Sequence, residues 1–411
     1  MNQGFIKVSI NTKIISPFLI FICAWSLVLI LYFFHWSDLL VPLSFSLTIV
    51  LLFFIFSSYL FVKYTKILNF NFVLDLKKIE SLLKKNVIVC SFLFLLESAA
   101  AGGFPLLFLL QGTFVYDEFG LPFVHVIWYC FSSLSCSLAW LLFACTKRKK
   151  YLFYVFFYLF PGILIITRSF LLYNAIYCIL ISLSLKQYKF SVFKKIFLKL
   201  FIGAVAILLV FGRIGEIRSS TMPDLANTAD TYIAQISKPT EAFKSTHLPS
   251  VLLWGYCYIT TPLSNLQNTI TVENVPIFGD RHHYYELINH FLPAMIGKRA
   301  FANPAPNQYK LDLVVPYFNQ ASDLADAYVS FGWFGIFHAL IGGFVLIAIV
   351  YILKRKRNVY SYLSFIYLSV LILLNIFANM FHFMGISPQF WIAFILSIFD
   401  AKIFMNPKVI K

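Results

Sequence analysis

Apolar runs of about 20 residues, each enough to cross about 30 Å of hydrocarbon as a helix, recur along most of the chain. They lie at 14–34, 39–62, 87–110, 122–145, 151–167, 169–185, 196–213, 327–353, 359–382 and 388–405. The pattern predicts an all-α polytopic integral membrane protein of about ten transmembrane helices. One stretch breaks it. Residues 214–326 are polar and carry Pro276, Pro293, Pro304, Pro306 and Pro316. They read as one large loop between an N-terminal bundle over 1–213, of about seven spans, and a C-terminal bundle over 327–411, of about three. Inside the loop, Val251–Ile270 is moderately apolar. A crossing there would invert the spans that follow, so a re-entrant or interfacial segment near 251–270 is expected. Asp230–Phe243 has the pattern of an amphipathic interfacial helix.

The runs at 151–167 and 169–185 are short and meet at Arg168. Merged into one span, they would place the basic clusters Lys147–Lys150 and Lys186–Lys195 on opposite faces of the membrane. A tight hairpin with Arg168 at its tip keeps them together, and Pro161-Gly162 is expected to bend its first arm. Gly102-Gly103-Phe104-Pro105 similarly predicts a broken helix just after Glu97, the one acidic residue within an expected span. Broken helices at membrane depth are tolerated where they are buried in protein or line a cavity, and intramembrane charges either pack against partners or serve function.

Composition supports lipid as the solvent. Sixty per cent of the residues are hydrophobic and 12% are charged, about half the charge of an ordinary soluble chain. The net charge of +16 has its source in topology. With the N-terminus in the cytoplasm, the segments around Lys7 and Lys13, Lys63–Lys85, Lys147–Lys150, Lys186–Lys199, Lys354–Arg357 and Lys402–Lys411 collect most of the 33 basic residues. Positive residues stay inside, so both termini are expected in the cytoplasm and the large loop outside. Nucleic-acid binding is therefore not expected. The first apolar run has spanning length and no small-residue cleavage site, so it is expected to act as its own insertion signal. The seven cysteines form no CxxC pair, and neither a disulfide framework nor a metal centre is expected.

Basic residues outside are few. Arg168, Arg213, Arg218, Arg281 and Arg299 are candidates for binding an anionic diphosphate head group, since guanidinium offers planar, bidentate hydrogen bonds to phosphate. They could also snorkel to the interface. Candidate proton acceptors are Asp280, His282, His283, Glu286, His290, Asp323 and Asp326, the densest group being Asp280-Arg281-His282-His283. Tyr256 and Tyr258, with Trp254, suit either stacking on sugar rings or an interfacial aromatic belt. Motifs for nucleotide hydrolysis and the common hydrolases are absent.

Several short patterns occur in order along the chain: Gly102–Leu106, Tyr116–His125 (YDEFGLPFVH), Thr167-Arg168-Ser169, Tyr258–Leu266 (YITTPLSNL), Phe291-Leu292-Pro293 and Asp326–Gly335 (DAYVSFGWFG). With the span layout, they make the chain resemble the bacterial oligosaccharide repeat-unit polymerases, the O-antigen polymerases of the Wzy type. The outer loop does not show the paired arginine pattern of some members. The resemblance implies a glycosyltransferase of the bacterial inner membrane that needs no cofactor. Such an enzyme transfers a growing glycan from undecaprenyl diphosphate to a new lipid-linked repeat unit at the periplasmic face. A chain-length regulator and the flippase of the same pathway are the implied partners. The Arg set would then stabilise the leaving diphosphate, Tyr258 would contact glycan, and Asp280, His282, His283 or Asp326 would accept the hydroxyl proton. An O-antigen ligase shares the layout and lipid donor, and a flippase shares the substrate. A flippase predicts internal repeats and several deep charges, neither of which is visible.

Overall fold

The computed structural model describes residues 4–12, 15–64, 69–111, 119–121, 123–185, 235–275, 289–300, 309–353 and 358–399; at Asn69, Arg168, Lys298, Arg299, Ala300 and Leu353 only the backbone is described. The chain is mostly helical. Its long helices are α1 (Pro17–Tyr32), α2 (Phe45–Tyr64), α3 (Leu76–Ala100), α5 (Val124–Thr146), α6 (Lys150–Leu164), α7 (Arg168–Leu185), α9 (Ser250–Val272), α11 (Ser322–Leu353), α12 (Val359–Leu374) and α13 (Ser387–Phe399). Short turns of helix form α4 (Pro105–Leu110), α8 (Glu241–Lys244) and α10 (Ala294–Ala300). Phe45–Tyr64, Val124–Thr146 and Ser322–Ile352 are long and apolar enough to cross a membrane. Phe45, Ile88, Phe92, Leu95 and Phe153 are large apolar side chains left exposed on the outside of the bundle, as lipid contact requires and water does not favour.

The all-α expectation needs one correction. β1 (Phe5–Asn11) and β2 (Asn69–Asp75) pair antiparallel, Phe5 opposite Asp75 and Asn11 opposite Asn69. Alternation with period two was the signal: Val8, Ile10, Phe70, Phe72 and Leu74 are buried, and Phe70 and Phe72 pack on Tyr362 and Phe365 at the start of α12. The sheet fixes one end of the bundle, here the sheet end. Asp75 then caps α3 by accepting from Lys78 N at 3.1 Å, and Asn358 caps α12 by accepting from Ser361 N at 2.7 Å, both filling orphan helix donors.

Among the described helices α5 is central, with 72% of its apolar window buried against 22% for α2. Interhelical amide bonds replace water here: Asn86 Nδ2 donates to Ser135 Oγ at 2.8 Å and Asn174 Nδ2 to Ser133 Oγ at 3.1 Å. Such polar contacts hold helices whose apolar surfaces gain little from leaving lipid.

Towards the opposite end, the loop end, α9 lies between two straps. Along one side, Val41 N donates to Ser264 Oγ at 2.9 Å and Ser44 N to Gln267 Oε1 at 2.8 Å. Along the other, Asn265 donates to Phe318 O and Gln320 O at 2.8 and 2.7 Å and accepts from Val314 N at 2.8 Å. Thr260 to Leu266 are all buried, and the Ser264 hydroxyl donates to Leu39 O at 2.7 Å.

The break expected after Glu97 is present: Gly102, at φ +72, separates α3 from α4, a left-handed conformation that glycine adopts without strain. Other boundaries differ from expectation, and α3 begins at Leu76 rather than near 87. α2 begins at Phe45, and α12 stops at Leu374 with Asn375 as its cap. The helix expected over Asp230–Phe243 is interrupted: Lys238 has φ +43 and Pro239 bridges to Ser37, while 230–234 lie outside the described residues. The chain leaves α7 at the sheet end and reappears at the loop end by Ser37–Pro239; the run at 196–213 falls outside the described residues.

Candidate functional site

Two polar clusters stand at the loop end. In the first, His290 Nε2 lies 3.0 Å from Asp323 Oδ1, with 7% of each side chain exposed. Asp323 Oδ2 accepts from Asn375 Nδ2 at 2.9 Å, and Asp323 N donates to Asn375 O at 2.9 Å. Asn379 Nδ2 lies 3.2 Å from His290 Nδ1 and donates to His290 O at 2.9 Å. An amide nitrogen can only donate, so Nδ1 is the accepting nitrogen, while Nε2 and Asp323 Oδ1, both buried, approach each other without forming a hydrogen bond. Both ring nitrogens face protein groups. The crevice beside Asp323 and Asn375 holds about 20 Å³, room for one water and not for a sugar ring. His290 and Asp323, both candidate proton acceptors by sequence, therefore form a clamp.

The clamp matters for what it holds. Asn289-His290 follow directly on the segment with Asp280, Arg281, His282 and His283, which lies outside the described residues. The near end of that segment is tied as well, because Tyr328 donates to Glu273 O at 3.0 Å. Asp323 and Tyr328 are five positions apart on α11, roughly 8 Å along the axis. The chain from Glu273 to His290 thus leaves and rejoins the first turns of one helix, and Asp326 lies between the two ties. Asp326 is half-buried, and its carbonyl accepts from Ser330 Oγ at 2.9 Å.

α11 is itself broken below this point. Phe331 and Gly332 are non-helical, with Gly332 at φ +56, and a Cβ on Gly335 would fall 1.9 Å from Ala327 O. The Asp326–Gly335 pattern is the sequence of that kink.

Two of the arginines lie on elements that share a neighbour. α10, which carries Arg299, is tied through Ala294 N to His382 O at 3.0 Å and through Met295 N to Met384 Sδ at 3.2 Å. α7, which opens at Arg168, touches the same segment through Tyr173 and Phe383, ring centroids 6.5 Å apart. Arg213, Arg218 and Arg281 lie outside the described residues. Tyr258 is 41% exposed on α9, edge-on to Trp254 and Phe318.

The second cluster surrounds Glu97, whose side chain is wholly buried. Its Oε1 accepts from Leu121 N at 3.1 Å, and its Oε2 accepts from Trp128 Nε1 and lies 3.2 Å from His125 Nδ1. These donors replace the hydration that burial removes from a carboxylate. Trp128 and Tyr129 pack on Phe170 in the first turn of α7, at 5.7 and 4.6 Å, so the cluster adjoins the turn that begins with Arg168. The chain over it is folded tightly: Gly120 has φ +126 and Phe123 has φ +71, the latter a region seldom adopted by bulky residues. His125 is a functional candidate that residue-type reasoning passed over. It sits inside the quoted YDEFGLPFVH pattern, but its pairing with Glu97 across 28 positions has no sequence signature. Compared with family models, with curated proteins and with solved structures, the chain matches none.

Proposed function

We propose that the protein is a glycosyltransferase that polymerises undecaprenyl-diphosphate-linked repeat units into O-antigen or a related surface polysaccharide, at the periplasmic face of the bacterial inner membrane. The observation that carries this reading is the double tie of the Glu273–His290 segment to the first turns of α11. It supports a site at the first turns of α11, around Asp326, at the end of the bundle that the charge pattern assigns to the outside; Asp280, Arg281, His282 and His283 belong to the chain between the two ties. Arg168 and Arg299, on α7 and α10, border the same end.

The chemistry asks for two things. A departing diphosphate needs fixed positive charge where its own charge develops, and the arginines supply it. An attacking sugar hydroxyl needs a proton acceptor. The bond to the donor diphosphate supplies the driving force, so the reaction runs without a nucleotide site. The test is deletion of the gene in a host that makes the polysaccharide, with lipid A-linked sugar resolved on a gel. A single repeat unit in place of a ladder supports the polymerase. Loss of polymer from lipid A with polymer retained on the lipid carrier points instead to a ligase, and an unchanged ladder excludes both.

A further inference from the structure

We propose that His125, held by Glu97, takes the proton of the acceptor hydroxyl; this rests on the polymerase reading and names the base of the same site. A proton acceptor needs an imidazole fixed in place with one nitrogen left for substrate. Glu97 Oε2 lies 3.2 Å from His125 Nδ1, and an ionised carboxylate only accepts hydrogen bonds. The proton of the neutral ring is therefore on Nδ1, and the lone pair is on Nε2. Among the described residues Nε2 has no hydrogen-bond partner, and the side chain keeps 30% of its surface exposed while that of Glu97 keeps none. The ring is also braced. A Cβ at Gly120 would lie 3.2 Å from Nδ1, and Tyr129 and Trp128 stand 4.5 and 5.5 Å away, centroid to centroid. His290 differs: only 7% of its side chain is exposed, and its two nitrogens face Asp323 and Asn379 rather than open space.

In the step, the acceptor hydroxyl oxygen bonds to the anomeric carbon of the donor glycan as its proton passes to Nε2. The bond from the anomeric carbon to the diphosphate oxygen breaks, and undecaprenyl diphosphate leaves with the electron pair. The Glu97 carboxylate stabilises the imidazolium until its proton passes to water.

The experiment uses the full chain in lipid vesicles with a lipid-diphosphate-linked repeat unit. His125→Asn keeps an N–H near the Nδ1 position, and so the contact with Glu97, but removes the base. His125→Ala opens space for added imidazole. Both variants are expected to polymerise about 100-fold more slowly or worse. Imidazole should restore His125→Ala but not His125→Asn, and substituted imidazoles should restore it in order of their basicity. Normal rates in either variant overturn the proposal, as does a loss in His125→Ala that no imidazole relieves. If the unaltered protein forms no polymer in these vesicles, the polymerase reading itself fails, and the inference with it.

Discussion

Single residues at the loop end divide into those that hold and those that are free to act. Asp323 holds. Its carboxylate accepts from Asn375 and lies 3.0 Å from His290 Nε2, beside a space with room for one water, and breaking a buried pair leaves a charge or donor uncompensated, at about 3–5 kcal/mol. Asp323→Ala is accordingly expected to unfold well below the wild type in a detergent thermal melt. Glu97 both holds and positions. Glu97→Ala orphans the donors of Leu121, His125 and Trp128 and should destabilise by about 2 kcal/mol or more. Glu97→Gln keeps an acceptor there and should remain folded but turn over slowly with an unchanged KM, since it no longer favours the imidazolium that forms during reaction. Arg168→Ala and Arg281→Ala should each insert normally and collapse the polymer ladder; full chain length in both variants would show that the diphosphate is bound elsewhere. Residue types had marked His290 and Asp323 as acid–base candidates, but whether a histidine nitrogen is occupied depends on a partner such as Asn379, 89 positions away. The same limit concealed His125.

At the scale of elements, apolar period and punctuation made most helices legible. Pro17, Gly102 and the Thr167–Ser169 turn fall where α1 begins, α3 ends and α7 starts. The strands escaped because seven residues such as FIKVSIN bury one face only, against α7 and α12, and resemble the flank of the span that follows. The partners of α9 were not legible. Asn265 donates two hydrogen bonds to the 309–321 strap and accepts one from it, from a fully buried position. Asn265→Ala should release that strap, read as faster proteolysis between 309 and 321 and a loss of about 2 kcal/mol or more. A weaker tie joins α3 to α6 at the sheet end, where Glu80 pairs with Lys150 and accepts from Tyr151. Burial raises the Glu80 pKa, but the bonds from Lys150 and Tyr151 and the charges of Lys150 and Lys84 outweigh it and hold the carboxyl below its usual range. A depressed carboxylate stabilises the fold above its unfolded pKa, and the gain is lost as pH falls through the lower, folded value. The pair is partly exposed, so its share is under about 1 kcal/mol. Glu80→Gln should lower Tm slightly at pH 7, and the difference from wild type should shrink as pH falls below about 4.3 and vanish once pH lies below the depressed, folded value.

For the whole molecule, one end is closed by a sheet and by basic turns, and the other gathers α9, its straps, the Glu97 cluster and both ties of the Glu273–His290 segment. This polarity suits the proposed chemistry at one membrane face. The charge pattern predicted which end faces out; the ties that bring residues 97, 125, 290 and 323 to that end come from packing between distant segments. The most direct measurement is reconstitution of the purified protein in vesicles with a lipid-diphosphate-linked repeat unit and no nucleotide sugar. The account predicts a ladder of lipid-linked oligomers with release of the lipid diphosphate. Unchanged single repeat units would contradict it.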